Sequence, residues 1–207
     1  LICIHLKVCS LFSRQAITEK LASLKSVRAI NDEVSFKHPV GVSPIPAAVL
    51  IPIVHRNGKL SILLTKRTAH LKHHAGQVSF PGGRVSEEDN GRQFTALRET
   101  EEEIGLKLDE SSLIGTLPEY DIRTGFRVTP LVGWVESPFN CTTDPYEVES
   151  IFEVPMELVL ELDNYEVSID SSGLEARYYY RLPYRGYEIW GATAGMLRNF
   201  ASALMEA

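Results

Sequence analysis

Asn57-Gly58 lies between two apolar runs, Ala47 to Val54 and Leu60 to Thr65. This dipeptide supplies both positive-φ residues of a tight turn whose twist suits antiparallel strands, so it marks a β-hairpin. Around that hairpin, helical and extended patterns interleave. Ser13 to Leu24 carries Ile17, Leu21 and Leu24 at helical spacing, and Pro39 to Pro46 is a Pro/Gly/Ser loop. Gln77 to Phe80 reads as a short strand ending at Pro81-Gly82-Gly83. Thr95 to Ile104 reads as a helix closed by Gly105 in a C-cap role. Leu113 to Leu117 and Phe126 to Val135 are predicted strands, and Pro155 to Leu162 a helix with proline at its first position. Tyr165 to Ile169 and Arg177 to Tyr184 form a late hairpin around Ser171-Ser172-Gly173, and Ala192 to Met205 is a closing helix. This order predicts an α/β (α+β) fold, a mixed sheet with helices on both faces, and not a regular βαβ series. The expected organisation is an N-terminal extension and helix over 1–38 and one domain over 39–207.

The formal charge of −6 opposes a general nucleic-acid binder, which would need clustered Lys and Arg. No apolar run reaches the roughly 18–20 residues of a membrane span. Cys3, Cys9 and Cys141 lack metal-ligand or redox spacing and read as thiols in a reducing compartment. Leu1 to Phe12 is apolar but lacks the charged flank and cleavage site of a secretory leader, so the cytoplasm is the expected location. The sequence is compatible with a homodimer without fixing the oligomeric state.

The chemistry concentrates in Arg98-Glu99-Thr100-Glu101-Glu102-Glu103-Ile104-Gly105-Leu106. At 3.6 residues per turn, Glu99, Glu102 and Glu103 share one side of a helix, with Leu97 and Ile104 opposite. Like charges at these spacings cost about 0.2–0.5 kcal/mol per pair. A divalent cation would turn that repulsion into a binding site, since Mg²⁺ and Mn²⁺ prefer carboxylate oxygens. The alternative is a solvated acidic face; the glycine turn upstream and Gly105 downstream favour the site. Gly82-Gly83 is not a dinucleotide fingerprint, which needs a third glycine.

The segment from Gly82 to Leu106 resembles the Nudix hydrolase signature, G-x5-E-x7-R-E-U-x-E-E-x-G-U. Arg98-Glu99, Glu102-Glu103 and Gly105-Leu106 match it. Thr100 stands at a normally aliphatic position. The stretch from Gly83 to Arg98 is one residue too long, with Asp89 where the first glutamate would fall. Upstream, Leu63, Leu64, Thr65, Arg67, Gly76 and Phe80 to Gly83 resemble the additional motif of the coenzyme A pyrophosphatase branch, L-L-T-x-R-[SA]-x3-R-x3-G-x3-F-P-G-G. Thr68 replaces its Ser or Ala, and Lys72 replaces its second Arg, keeping the charge but losing the bidentate fork. The likeness extends through Glu147 to Pro155 and Ile189 to Thr193.

The resemblance implies an α/β/α sandwich and metal-dependent hydrolysis of coenzyme A or a derivative, giving 3′-phospho-ADP and (acyl) 4′-phosphopantetheine. It makes Glu99, Glu102 and Glu103 ligands for Mg²⁺ or Mn²⁺, with the Gly83 carbonyl as an addition. Arg98 would orient carboxylates by pairing with Asp89 or Glu102. Glu102 is the first candidate for general base and Glu147 the second. Arg67, Lys72, Gln77 and Gly82 are the substrate-binding candidates. Two other readings stay open: a Nudix enzyme acting on ADP-ribose, NADH or another nucleoside diphosphate derivative, and a catalytically inactive binding module. His70, His73 and His74 fit no zinc spacing and read as solvated. Trp190 and Tyr178-Tyr179-Tyr180 read as sheet and core aromatics. Glu103 is expected to face solvent or metal, so that Glu103→Gln would leave the fold intact.

Overall fold

The computed structural model describes residues 12–24, 38–71, 74–171 and 176–205. The Asn57-Gly58 turn forms as expected, both residues taking positive φ, and joins β1 (Ile45–Arg56) to β2 (Lys59–Arg67). Strand β1 is the sheet's centre. It pairs along its full length with β7 (Phe126–Glu136), in parallel, from Ile45↔Phe126 to His55↔Glu136. Its opposite edge is shared: Ala47–Val49 pair with β4 (Gly82–Arg84) and Ile53–Arg56 with β2. Strands β3 (Val78–Ser79) and β8 (Val148–Pro155) flank β2, while β5 (Leu113–Thr116) and β6 (Tyr120–Asp121) pair with β7. The result is an eight-stranded mixed sheet.

Side-chain alternation along β1 shows why both faces need cover. Ala47, Ile51 and Ile53 enter the large core, whereas Ala48, Leu50 and Val54 point the other way. Helix α1 (Arg14–Ser23), the short α3 (Met156–Leu160) and α4 (Gly191–Met205) belong to the large-core face, contributing Ile17, Leu21, Met156, Val159 and Phe200. Helix α2 (Arg92–Ile104) belongs to the other face through Ala96 and Ile104. The mixed sheet with helices on both faces is thus realised. A separate antiparallel sheet, β9 (Glu166–Asp170), β10 (Arg177–Tyr184) and β11 (Tyr187–Trp190), packs through Tyr180, Leu182 and Ile189 into the large core.

The sequence patterns located the long elements and missed short or distant pairings. Strands β4, β6 and β11 are too brief to show periodicity. Strand β8 is recognisable only through its pairing with β2, some 85 residues earlier in the chain. Of Tyr178, Tyr180 and Trp190, Tyr180 alone is core; the other two are 49% and 41% exposed on sheet strands. Most of the Leu1 to Phe12 segment, Lys72, His73 and the Ser172-Gly173 part of the late turn lie outside the described residues. Among the described residues, no helix is long and apolar enough to cross a membrane.

Candidate active site at the start of β4 and the end of α2

Two glycines let β4 approach its neighbours. Gly82 has φ +151°, and a Cβ there would strike the Ala48 carbonyl and lie 2.6 Å from Val49 Cα, so strand pairing with β1 requires glycine. Gly83 serves a different purpose. A Cβ on it would lie 2.5 and 2.6 Å from the two carboxylate oxygens of Glu99. The Glu99 carboxylate therefore rests on the bare backbone of β4. Beyond the last turn of α2, Gly105 takes the left-handed C-cap conformation, φ +65°, and its N–H bonds to the Glu101 carbonyl.

Arg98 organises the helix face. Its Nε donates to Asp89 Oδ1 at 2.9 Å and its Nη2 to Asp89 Oδ2 at 3.0 Å. The same guanidinium reaches Glu102 Oε2 at 2.8 Å and Glu99 Oε1 at 3.0 Å. Asp89 also accepts from the Ser86 N–H at 2.9 Å and the Thr95 hydroxyl at 2.7 Å. The Arg98 guanidinium holds the Asp89 carboxyl well below the usual carboxylate range. The longer loop and shorter acid thus deliver a carboxylate to Arg98, and the expected pairing of Arg98 with Asp89 and Glu102 is present. Thr100, at the normally aliphatic position, is fully buried and donates its hydroxyl to the Ala96 carbonyl at 2.6 Å.

Of the two surroundings expected for Glu103, solvent or metal, its burial excludes solvent: it is 4% exposed. The chain from β7 to β8 closes over it, with the Thr142 N–H bonding the Ile104 carbonyl at 2.8 Å and the Asp144 N–H the Glu103 carbonyl at 2.9 Å. Burial pushes its carboxyl up to about 8, against the Arg67 charge and with help from Glu147 and Glu99. Its Oε2 has no hydrogen-bond partner. Burial also raises Glu99, which Arg98 opposes.

Arg67 lies inside this acidic cluster. Its Nη1 is 3.4 Å from Glu103 Oε1 and its Nη2 3.7 Å from Glu147 Oε2, and its Nε is buried without a partner. Opposite Lys66 and Arg67, β8 carries one extra residue, Glu149, and the bulge shifts the register at this point. Glu147, distant in sequence, reaches the cluster because the Thr68 N–H bonds its carbonyl at 2.9 Å and the Thr68 hydroxyl bonds the Tyr146 carbonyl at 2.8 Å. Thr68 is thus a positioning residue that the motif comparison marked only as a departure; its hydroxyl was the available signal. Gln77 is turned to His74, Oε1 to Nδ1 at 2.8 Å, and so belongs to the turn before β3. His70 is exposed and meets Tyr146 edge-on.

Four features fit a hard divalent cation: oxygen-only donors, a buried carboxylate oxygen without a partner, a second carboxylate seated on bare glycine backbone, and neighbouring acids that repel one another. As the side chains stand, no three acidic, His or Cys groups among the described residues converge as a metal cluster. Glu102, 58% exposed at its side chain, is held instead by Arg98.

The NUDIX domain family matches residues 44–167. An Enterobacter sp. (strain 638) protein called uncharacterized Nudix hydrolase NudL is 40% identical over 156 residues, covering 75% of this chain and 80% of that one. Its Escherichia coli (strain K12) namesake is 42% identical over 158 residues with the same coverages. Among solved structures, a Caenorhabditis elegans Ap4A hydrolase binary complex aligns with 79% of this chain and 99% of its own, at TM-score 0.48 and 18% identity, too distant to bear on substrate. On the domain match and these relatives, the chain belongs to the Nudix hydrolase family.

Proposed function

We propose that this Nudix hydrolase cleaves the pyrophosphate bond of coenzyme A or a derivative, releasing 3′-phospho-ADP and (acyl) 4′-phosphopantetheine. The observation that carries the substrate class is the segment from Leu63 to Gly83, whose motif residues build the wall of the site: Arg67 enters the acidic cluster and Gly83 seats Glu99. Nudix hydrolases generally need divalent metal ions, and Glu99, Glu102 and Glu103, with the Gly83 carbonyl, would hold Mg²⁺ or Mn²⁺ here. Bound metal would neutralise phosphate charge, polarise the P–O bond and lower the pKa of a coordinated water.

The chain's own groups divide the remaining work. Arg98 fixes the directions of Glu99 and Glu102 through its anchor on Asp89. Glu102 is the first candidate to accept the proton of the attacking water. Glu147 is the second, and its position beside Arg67 and near Glu99 and Glu103 strengthens it. Arg67 faces carboxylates, so it supports a phosphate contact only in competition with Glu103 and Glu147. Gln77 and Lys72 remain candidates for the 3′-phosphate end.

The test is product chromatography after incubation with coenzyme A, dephospho-coenzyme A, ADP-ribose and NADH, each with Mg²⁺, Mn²⁺ or chelator. Metal-dependent release of 3′-phospho-ADP, ahead of cleavage of the other compounds, is expected. Faster turnover of ADP-ribose or NADH would discard the coenzyme A assignment. No turnover of any compound would favour a binding module.

A further inference from the structure

Strand β8 pairs with β2 alone among the described residues, so its second edge presents backbone N–H and C=O groups to no strand. Against the middle of that strand, at Ile151 to Glu153, lies a cavity of about 540 Å³. Its floor and walls are Leu63, Ile151, Phe139 and the half-buried thiol of Cys141; the turn Tyr184-Arg185-Gly186-Tyr187 closes the far side. This turn is unusual. Arg185 has φ +48° at a position where Asn or Gly would fit without strain, and it carries a cation to the cavity rim.

The cavity's position relates it to the acidic cluster. Thr65↔Ile151 and Arg67↔Val148 place both on the same β2–β8 ladder. From Glu147 to Ile151 is four residues, roughly 13 Å of extended chain. We propose that the free edge of β8 and the cavity beside its middle bind the flexible, amide-bearing arm of the substrate, a pantetheine-type chain. This inference rests on the coenzyme A reading of the site.

Three observations favour that arm over the adenosine 3′-phosphate end. The dozen or so bonds of a pantetheine chain have the reach of about four extended residues, matching the span along β8. Its two amides can pair with an exposed strand edge as an added strand would. One face of each ring that a base could stack on is already engaged. Phe152 and Tyr187 stack on each other at 3.7 Å, Arg56 covers Phe139 and Arg185 covers Tyr184.

Cys141 gives a readout that needs no turnover. The full chain is alkylated with N-ethylmaleimide at mildly alkaline pH, and labelling of the Cys141 peptide is followed by mass spectrometry. The ligands compared are the S-methyl thioether of 4′-phosphopantetheine and adenosine 3′,5′-bisphosphate. The thioether, at ten times its dissociation constant, should slow labelling about tenfold by mass action, while the bisphosphate leaves it unchanged. Alkylation at Cys141 should then raise KM for coenzyme A with kcat retained, and alkylation carried out with the thioether bound should leave that KM unchanged. Equal labelling with and without the thioether, or protection by the bisphosphate instead, overturns the inference. Protection in an enzyme that fails to cleave coenzyme A would sustain this subsite while removing the proposed reaction. Cleavage without protection would do the reverse.

Discussion

Gly83→Ala isolates the seat of Glu99 from the stability of the sheet. The added methyl carbon would start 2.5–2.6 Å from the Glu99 carboxylate oxygens, and Gly83 has no positive φ for alanine to strain. Comfortable contact needs about 3.5 Å, so the carboxylate must retreat by about 1 Å. The obstructing atoms are the end of a flexible side chain, so the fold should absorb the change at about 1 kcal/mol, the low end for an added methyl. Catalysis should not, because misplacement by about 1 Å costs on the order of 10²-fold. Gly82→Ala is the contrast: its Cβ would meet β1 backbone at Ala48 and Val49, which cannot yield without parting β1 from β4. The assays are thermal unfolding and metal-dependent hydrolysis on the same preparations. Gly83→Ala should keep its Tm within about 4 °C and lose about 100-fold in kcat/KM, with weakened metal dependence; Gly82→Ala should lose more Tm than that. A Gly83→Ala enzyme with wild-type kinetics would show that the Glu99 seat plays no part in the reaction.

Other substitutions probe separate parts of the account. Gly105→Ala should lower stability by about 1–2 kcal/mol, or roughly 2–8 °C in Tm, because residue 105 is left-handed and a Cβ there lies 3.1 Å from the Thr142 backbone; an unchanged Tm would refute the capping role. Thr100→Val should stay within about 1 kcal/mol of wild type by urea denaturation, as the gained apolar contact offsets one hydroxyl bond. Asp89 has a folded pKa depressed below its unfolded value of about 3.9. Its stabilisation is present above that value and is lost as pH falls through the folded pKa. The Tm of wild type should therefore fall more steeply on acidification below about pH 4 than that of Asp89→Asn; parallel curves would contradict the Arg98 anchor. A Glu147→Gln enzyme that loses kcat while retaining metal affinity by calorimetry would make Glu147 the general base; wild-type kcat in that variant would leave the role to Glu102.

What the sequence made legible is local. Asn57-Gly58 and its flanking runs, the helix stopped by Gly105, and the carboxylates Glu99, Glu102 and Glu103 follow from spacing within a few residues. The site's electrostatics depend on chain segments that spacing cannot bring together. Glu103 looks exposed on a helical projection, yet the Thr142–Asp144 stretch covers it. Arg67 looks like a strand-end surface residue, yet tertiary pairing with β8, which bulges opposite it, sets it beside Glu103 and Glu147. The edge of β8 and the Arg185 turn meet only through tertiary packing, signalled by Phe152 stacked on Tyr187.

The most direct measurement is kcat/KM for coenzyme A with Mn²⁺, determined for wild type and Glu103→Gln, with circular dichroism to verify folding. Metal-dependent cleavage by wild type and a loss of at least about 100-fold in the folded variant are expected, since removing one transition-state interaction of this kind costs on that order. A folded Glu103→Gln enzyme with wild-type activity would contradict the assignment of the site. A wild-type enzyme that leaves coenzyme A intact while cleaving ADP-ribose would contradict the assignment of the substrate.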